Sequence, residues 1–469
     1  MENATKKKKQ FKMPHTFVIV GIIILAAVVM TWLIPAGSYV RVENAQGIKV
    51  VDPEQFRFVD RVPINPLQIP MYIVNAFTAN ADLLWVVLFS GGAFHLITLS
   101  GALQAIIAKV AKRFSDKLYI FIPVLTLIFG LICTTQGVNT FIAFAPVMVM
   151  LSLAMGLDSL TGAAIILLGG AVGFSTGTLN ISTTLVAQKI AELPLYSGLE
   201  YRAFCFAVFY VVTNIYLIRY AMKVKKNPEL SPMYDLDKQN DLNTGADLDS
   251  FGTINARKVL ILLALFAALA LIVYGCIVLG WDMAETAATF VGLSIAVGFI
   301  AGFTPSEISK HFLEGCKKML AAAIIIGLAR AIGTILTDGK IVDTVVYVLA
   351  GGLSAVPALL QGPAMLIANT LINVVLTSGS GQAAAVMPIF TPLADLIGMT
   401  RQTAVLAFNF GDGFCNYILP TSTALMGIIS ASNIPYDRWM KFMWKLFFIW
   451  LAVGTALIVI AQVIHLGPM

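Results

Sequence analysis

The sequence predicts an all-α polytopic membrane protein: an inverted-topology repeat with nine spans, two re-entrant hairpins and two broken helices. Three observations predict it. The 469 residues are 58% hydrophobic and only 12% charged, whereas a soluble domain carries roughly 25% charged residues. Several stretches exceed the roughly 18 apolar residues that mark a membrane helix. The second half of the chain repeats features of the first, with polar, glycine-containing interruptions in matching places.

The first span, "FVIVGIIILAAVVMTWLIPAG" at 17–37, is too long for a cleaved signal and no small-residue cleavage site follows it, so it is expected to remain. Spans are expected at 16–36, 82–99, 159–191, 200–221, 258–280, 284–303, 319–337, 400–431 and 437–465. The apolar stretches 118–156 and 356–397 read as hairpins that enter and leave on one side. Lys6, Lys7, Lys8 and Lys9 set the N-terminus in the cytoplasm; with both hairpins, 22 of the 31 Lys and Arg residues then lie inside and eight outside. Positive residues concentrate in cytoplasmic segments, and a single full crossing at either hairpin would reverse the bias. Nine spans place the C-terminus outside a bacterial inner membrane. The same distribution accounts for the net charge of +6 without a nucleic-acid partner.

Two polar stretches interrupt the apolar sequence. Residues 37–65 alternate in character and predict a small external strand pair; residues 222–256, rich in Asp, Asn, Lys and Pro, predict a cytoplasmic linker that could lack order. Residues 1–221 and 257–469 are then the two repeats. Cys133, Cys205, Cys276, Cys316 and Cys415 sit in or beside apolar segments, odd in number and without a CxxC, which suggests packing rather than a disulfide or zinc framework.

At a shift of 242, Gly137 matches Gly379, Pro146 matches Pro388, Gly156 matches Gly398 and Gly169 matches Gly411. "GGAVGFSTGTLNISTT" (169–184) interrupts one span and "GDGFCNYILPTSTA" (411–424) its counterpart, while the hairpin tips read "TTQGVNT" (134–140) and "TSGSGQ" (377–382). Non-helical backbone at membrane depth is tolerated only where protein or a wet cavity covers it. Each interruption alone could be a kink in a packed helix. Four in symmetric positions point to a midplane site, where half-helix termini and Asn, Ser and Thr oxygens meet a solute and an ion. The candidate solute-binding residues are Asn139, Thr140, Asn180, Arg330, Ser378, Ser380, Gly381, Asp412, Asn416 and Thr421. Oxygens for a coupling Na+ would come from Thr135, Asn139, Thr178, Asn180, Thr377, Ser378, Thr421 and Ser422. No cofactor is expected; Na+ or H+ would couple.

Arg330 and Asp412 are the charges deep in spans, and such charges are costly unless paired or hydrated. Together they could hold an amino acid, Arg330 on its carboxylate and Asp412 on an amino or guanidinium group. Alternatively they pair with each other, or Arg330 reaches an interface. His95 reads as either a packing residue or a proton carrier.

"FSGGAFHLITLSGAL", "TTQGVNT", "IGLARAIGTILTDG", "TSGSGQAAAVMPIFTPLADLIGMTRQ" and "FNFGDGFCNYILPTS" resemble the YfcC family, provisionally named for basic amino acid antiport and grouped beside the anaerobic C4-dicarboxylate carriers. The arrangement of spans, hairpins and breaks is similar to the ion-transporter superfamily that includes the AbgT and dicarboxylate/sodium symporter families. The resemblance implies a scaffold, a moving bundle of hairpins and broken helices, an elevator-like motion and a homodimer. His95 departs from it, as a smaller residue is expected there. The reading is a secondary active transporter of a small carboxylate-bearing solute in contact with membrane lipid. A basic amino acid such as arginine, ornithine or lysine leads, possible exchange included; a C4-dicarboxylate or other organic anion follows. No filter or charged ring indicates a channel, no second deep Asp supports an intramembrane protease, and no HExxH, GxSxG or P-loop indicates an enzyme or ATP-driven pump.

Overall fold

Side chains that satisfy the first free N–H groups fix where the helices begin. Asp158, Asn255, Ser378, Thr400 and Ser422 each accept from a backbone N–H two or three residues into the helix that follows. Thr304 and Glu307 close a reciprocal capping box with Pro305 in the first turn. The computed structural model describes residues 16–43, 49–114, 117–134, 137–239, 255–279, 281, 283–353 and 356–467.

Helix α1 (Thr16–Leu33) leads to strands β1 (Gly37–Glu43) and β2 (Lys49–Phe58), an antiparallel pair in which Gly37 faces Phe58 and Glu43 faces Lys49. This is the strand pair expected at 37–65. Helices α2 (Ile69–Ala79), α3 (Ala81–Leu99) and the amphipathic arm α4 (Ala102–Phe114) follow. Then come α5 (Leu118–Cys133), a 3₁₀ segment at Val138–Phe144 and α6 (Ala145–Ala154). Next come α7 (Ser159–Thr176), on which both α5 and α6 pack, a short α8 (Val186–Ile190), the long α9 (Leu199–Lys226) and a single turn α10 (Tyr234–Asp237). The second half contains α11 (Ala256–Tyr274), α12 (Met283–Ala301), α13 (Pro305–Asp338) and α14 (Val342–Leu353). It ends with α15 (Ala358–Val375), α16 (Gly379–Leu396), α17 (Arg401–Cys415), α18 (Thr423–Ala431) and α19 (Tyr436–Val463).

Six of these helices, α3, α7, α9, α12, α13 and α19, are long and apolar enough to cross a membrane by length and composition. Element order recurs: α3 and arm α4 correspond to α13 and α14, the pair α5/α6 to α15/α16, the broken α7/α8 to α17/α18, and α9 to α19. Pro123 inside α5 and Pro363 inside α15 mark equivalent bends 240 residues apart.

The helices form two bundles. One packs α1, α2 and α12 around α3 and α13, with α11 outside them on α12; the other packs the helix pairs and broken helices between α9 and α19. They meet where α18 and the 138–144 turn lie against α13 and α3, and where α16 lies against β2 and α14 against α15 and α16.

Three expectations need correction. The expected 319–337 span is the second half of a 34-residue helix that already starts at Pro305, because the capping box launches it before the apolar run begins. The described part of the linker is ordered, not loose: α9 runs to Lys226, and residues 228–237 dock on the start of α7. There Asp237 Oδ2 accepts from the Ser159 N–H (2.9 Å), and Asp158 Oδ2 accepts from the hydroxyls of Tyr220 (2.5 Å) and Ser231 (2.6 Å). Residues 240–254 lie outside the described residues. The break in the second interrupted span begins later than Gly411. Residues 411–415 are regular helix, and the chain leaves it over 416–422. Gly411 and Gly413 serve close packing instead: a Cβ on Gly411 would lie 2.5 Å from Asn369 Cβ and 2.8 Å from Leu366 O, and one on Gly413 would overlap Ser175.

Candidate functional site

Helix α7 stops because Gly177 adopts the left-handed conformation, with φ +63°. Asn180 then starts the next turn by accepting from the Thr183 N–H (3.0 Å). Helix α17 stops before Pro420, and Ser422 restarts the chain as the cap of α18. These two breaks and the two helix-pair turns converge. Gly379, at the head of α16, packs so closely on Thr183 and Asp412 that a Cβ there would sit 2.5 Å from Thr183 Cγ2 and 3.1 Å from Asp412 Oδ2. The Thr423 hydroxyl reaches Asn139 Oδ1 (3.4 Å), joining the first turn to the second break.

Between them lies a cavity of about 240 Å3. Its wall contains Gly137, Val138 and Asn139 from the first turn, Thr377 and Gly379 from the second, Asn416, Thr421 and Ser422 from the second break, and Arg330 from α13. Among the described residues, no carboxylate lines it. Arg330 has no ion-pair partner among the described residues, and its side chain faces this cavity and a second hollow of about 230 Å3 that includes Thr334, Thr337, Asp338 and Ser378. A third hollow, of about 490 Å3, shares Thr337 and Leu376 with the second and reaches Arg41, Lys340 and Asp343 beside the strand pair. Through these shared wall residues, the three hollows lie in succession between the breaks and the β1–β2 pair.

Asp412 is 1% exposed and stands behind Gly379 rather than in the cavity wall. The Asn373 amide donates to its Oδ1 (2.6 Å) and to its backbone oxygen (2.9 Å), and Asn416 donates to the same backbone oxygen (2.8 Å). It does not pair with Arg330. Thr178 and Asn180 are buried outside the wall; Ser380 is exposed, and Gly381 borders the third hollow. Thr135 lies outside the described residues, as does the side chain of Thr140. His95 belongs to a separate cluster on α3 and α13, with Nδ1 3.1 Å from Lys318 Nζ and Nε2 3.5 Å from Glu314 Oε2, an oxygen also 3.2 Å from His311 Nδ1.

Sequence reasoning missed two polar groups. Asn369 and Asn373 sit one turn apart on α15, and Gln382 of α16 donates to Asn369 O (3.0 Å), locking this pair behind Asp412. Amides at i and i+4 in an apolar helix were the available signal. Arg202, 1% exposed, donates to Gln402 Oε1 (2.7 Å) and Ser197 O (2.5 Å) at the junction of α9 and α17. Its position beside a loop hid it.

Two bundles of apolar helices, paired broken helices and a polar cavity at their meeting point define a membrane transporter. The chain belongs to the family described as DcuC, C4-dicarboxylate anaerobic carrier, whose model matches residues 13–463. It is 28% identical to YfcC of Escherichia coli (strain K12), provisionally named a basic amino acid antiporter, over 93% of this chain and 94% of that one. It is 27% identical to an uncharacterized protein of Haemophilus influenzae (strain ATCC 51907 / DSM 11121 / KW20 / Rd), over 98% of each chain. The crystal structure of the Alcanivorax borkumensis YdaH transporter covers 97% of this chain and 100% of its own at 15% identity and a TM-score of 0.43, a likeness too low to support any inference.

Proposed function

We propose that this protein is a secondary transporter of a small carboxylate-bearing solute, bound in the cavity between the two turns and the second break with a carboxylate on Arg330. One observation carries this reading: an arginine without an ion-pair partner among the described residues lines a cavity that holds no acid. A guanidinium in such a place is satisfied by an anion from outside the protein, and its planar donors match a carboxylate. A C4-dicarboxylate or similar organic anion suits this wall best, and the family description agrees with it. A basic amino acid, taken by exchange, is the second reading. Asp412 favours it, since its carboxylate lies against Gly379 of the cavity wall, and so does the name of the Escherichia coli relative.

The mechanism we propose is elevator-like. The bundle carrying the helix pairs and breaks moves against the one built on α3 and α13, with α18 and the 138–144 turn at the seam. In the membrane, α5/α6 and α15/α16 would be re-entrant hairpins of inverted sense, completing nine spans. The positive-residue bias supports a cytoplasmic N-terminus, an external C-terminus and an inner-membrane location. Na+ or H+ would couple transport, with the hydroxyls of Thr421 and Ser422 at the cavity as candidate Na+ oxygens, and the working unit would be a homodimer.

The test is uptake into proteoliposomes of succinate, arginine, ornithine and lysine, with and without Na+, by wild type and Arg330→Gln. Removing the charge should weaken binding of the transported anion by about 2–5 kcal/mol. Unchanged affinity in a folded Arg330→Gln variant would overturn the site.

A further inference from the structure

We infer that the cleft between α9 and α19 is a binding site for the headgroup of an anionic phospholipid from the cytoplasmic leaflet. The cleft encloses about 610 Å3 and is distinct from the transport cavity. Its polar lining is dominated by four cations, Arg219 and Lys223 of α9 and Lys441 and Lys445 of α19, and no carboxylate lines it. None of the four has an ion-pair partner among the described residues.

The cations are stacked. Lys223 lies three residues from the end of α9 and Lys441 five from the start of α19, so they share the outermost level. Arg219 and Lys445 sit four residues deeper, about 6 Å at the helical rise. One turn deeper still the wall becomes apolar, at Ile215 and Ile449, 46% and 38% exposed. Two levels of positive charge over an apolar one match a molecule with a phosphate head and acyl chains, and match neither a free anion nor an acidic peptide. The cleft is preformed. Tyr216 donates to the backbone oxygen of Phe442 (2.6 Å), which fixes the floor, and Arg438 donates to Pro232 O (2.7 Å), which holds the docked linker segment at the rim. The charge bias of the chain assigns this end to the cytoplasm, where basic pockets between membrane helices meet anionic headgroups.

The test is native mass spectrometry of the full-length protein in detergent, titrated with phosphatidylglycerol, cardiolipin or phosphatidylethanolamine. Wild type should retain the two anionic lipids in preference to phosphatidylethanolamine. At about 1 kcal/mol per cation, the double variant Arg219→Gln/Lys445→Gln should lose anionic-lipid affinity roughly twenty- to thirtyfold. Lys310→Gln/Lys317→Gln, which removes two exposed cations elsewhere, should retain it. Thermal unfolding without lipid shows whether each variant is folded, and Lys223→Gln/Lys441→Gln serves if the first pair is not. Equal retention by wild type and cleft variants, equal loss in the control pair, or displacement of the lipid by millimolar inorganic phosphate would each overturn the proposal.

Discussion

Gly173 shows what a single hydrogen atom decides in this molecule. A Cβ there would overlap the carbonyl oxygen of Gly130, so α5 and α7 touch backbone to backbone. Gly173→Ala is expected to destabilise the protein by about 1–3 kcal/mol, read as a lower thermal midpoint in detergent. Gly292→Ala, where nothing lies within 4 Å, should be neutral or stabilising by about 0.5–1 kcal/mol through helix propensity. The same chemistry explains where the sequence misleads. Glycines near a break look alike on paper, but Gly177 ends a helix while Gly169, Gly411 and Gly413 only let helices close up. Which role applies depends on a neighbour more than a hundred residues away, or on an opposite helix, and no local pattern encodes that. Asp412 belongs to this scale too. Asp412→Asn keeps an oxygen for the Asn373 amide and removes the charge. Dicarboxylate affinity, measured by calorimetry, should not fall. A loss of about 2–5 kcal/mol in arginine, ornithine or lysine affinity would instead establish the basic amino acid reading.

Among the elements, those with a strong local signal were legible: six of the expected spans, which fall on long apolar helices, the strand pair, and breaks that coincide with Asn180 and Pro420. The docked segment 228–237 was not, because its order comes from a distant partner, the start of α7. Asp237 supplies a test of that docking. Burial pushes its carboxyl above the ordinary value of 3.8, against the lowering effect of the Ser159 hydrogen bonds. An acid with a higher pKa in the fold than in the unfolded chain binds more protons when folded. Its contribution is therefore most favourable below about 3.8 and declines as pH rises through the folded value. Protection of the 228–237 amides from hydrogen exchange should weaken over that rise in wild type. Asp237→Asn, which keeps an acceptor for the Ser159 N–H, should show a flatter dependence. An equally steep fall in the variant would show that Asp237 is not its source.

For the whole molecule, topology is the property on which the other proposals lean. Exposed Leu195 precedes α9 and exposed Glu229 follows it. With one helix between them, cysteines placed there in a cysteine-free background should react with impermeant reagent from opposite sides, Leu195→Cys from outside and Glu229→Cys from the cytoplasm. Labelling in the reverse sense would overturn the assignment of α5/α6 as a hairpin, and labelling of both from one side would mean that α9 does not cross.

The strand pair has a bearing on travel. Gly37 N–H donates to Lys340 O (2.9 Å), Tyr39 N–H to Asp343 Oδ2 (3.0 Å) and the Thr344 hydroxyl to Pro35 O (2.8 Å), while Arg41 pairs with Asp343 (3.0 Å). Phe56 stacks on Tyr347 at 4.1 Å. Sheet, α1 and the root of α14 are thus bolted into one abutment at the end of α13. Helix α16 packs against β2 of this abutment, and where it borders the third hollow it carries Gly381, Ala384 and Ala385. A surface of such small side chains has no cogs. In the elevator-like motion proposed above, these positions would let α16 slip by a helical turn, about 5.4 Å, without a large side chain to lift out of a socket. Under that motion, the abutment would serve as a bearing and α16 as the shaft that runs in it. Ala384→Leu would put a tooth on that shaft, and it should slow turnover in proteoliposomes while leaving solute affinity as it was.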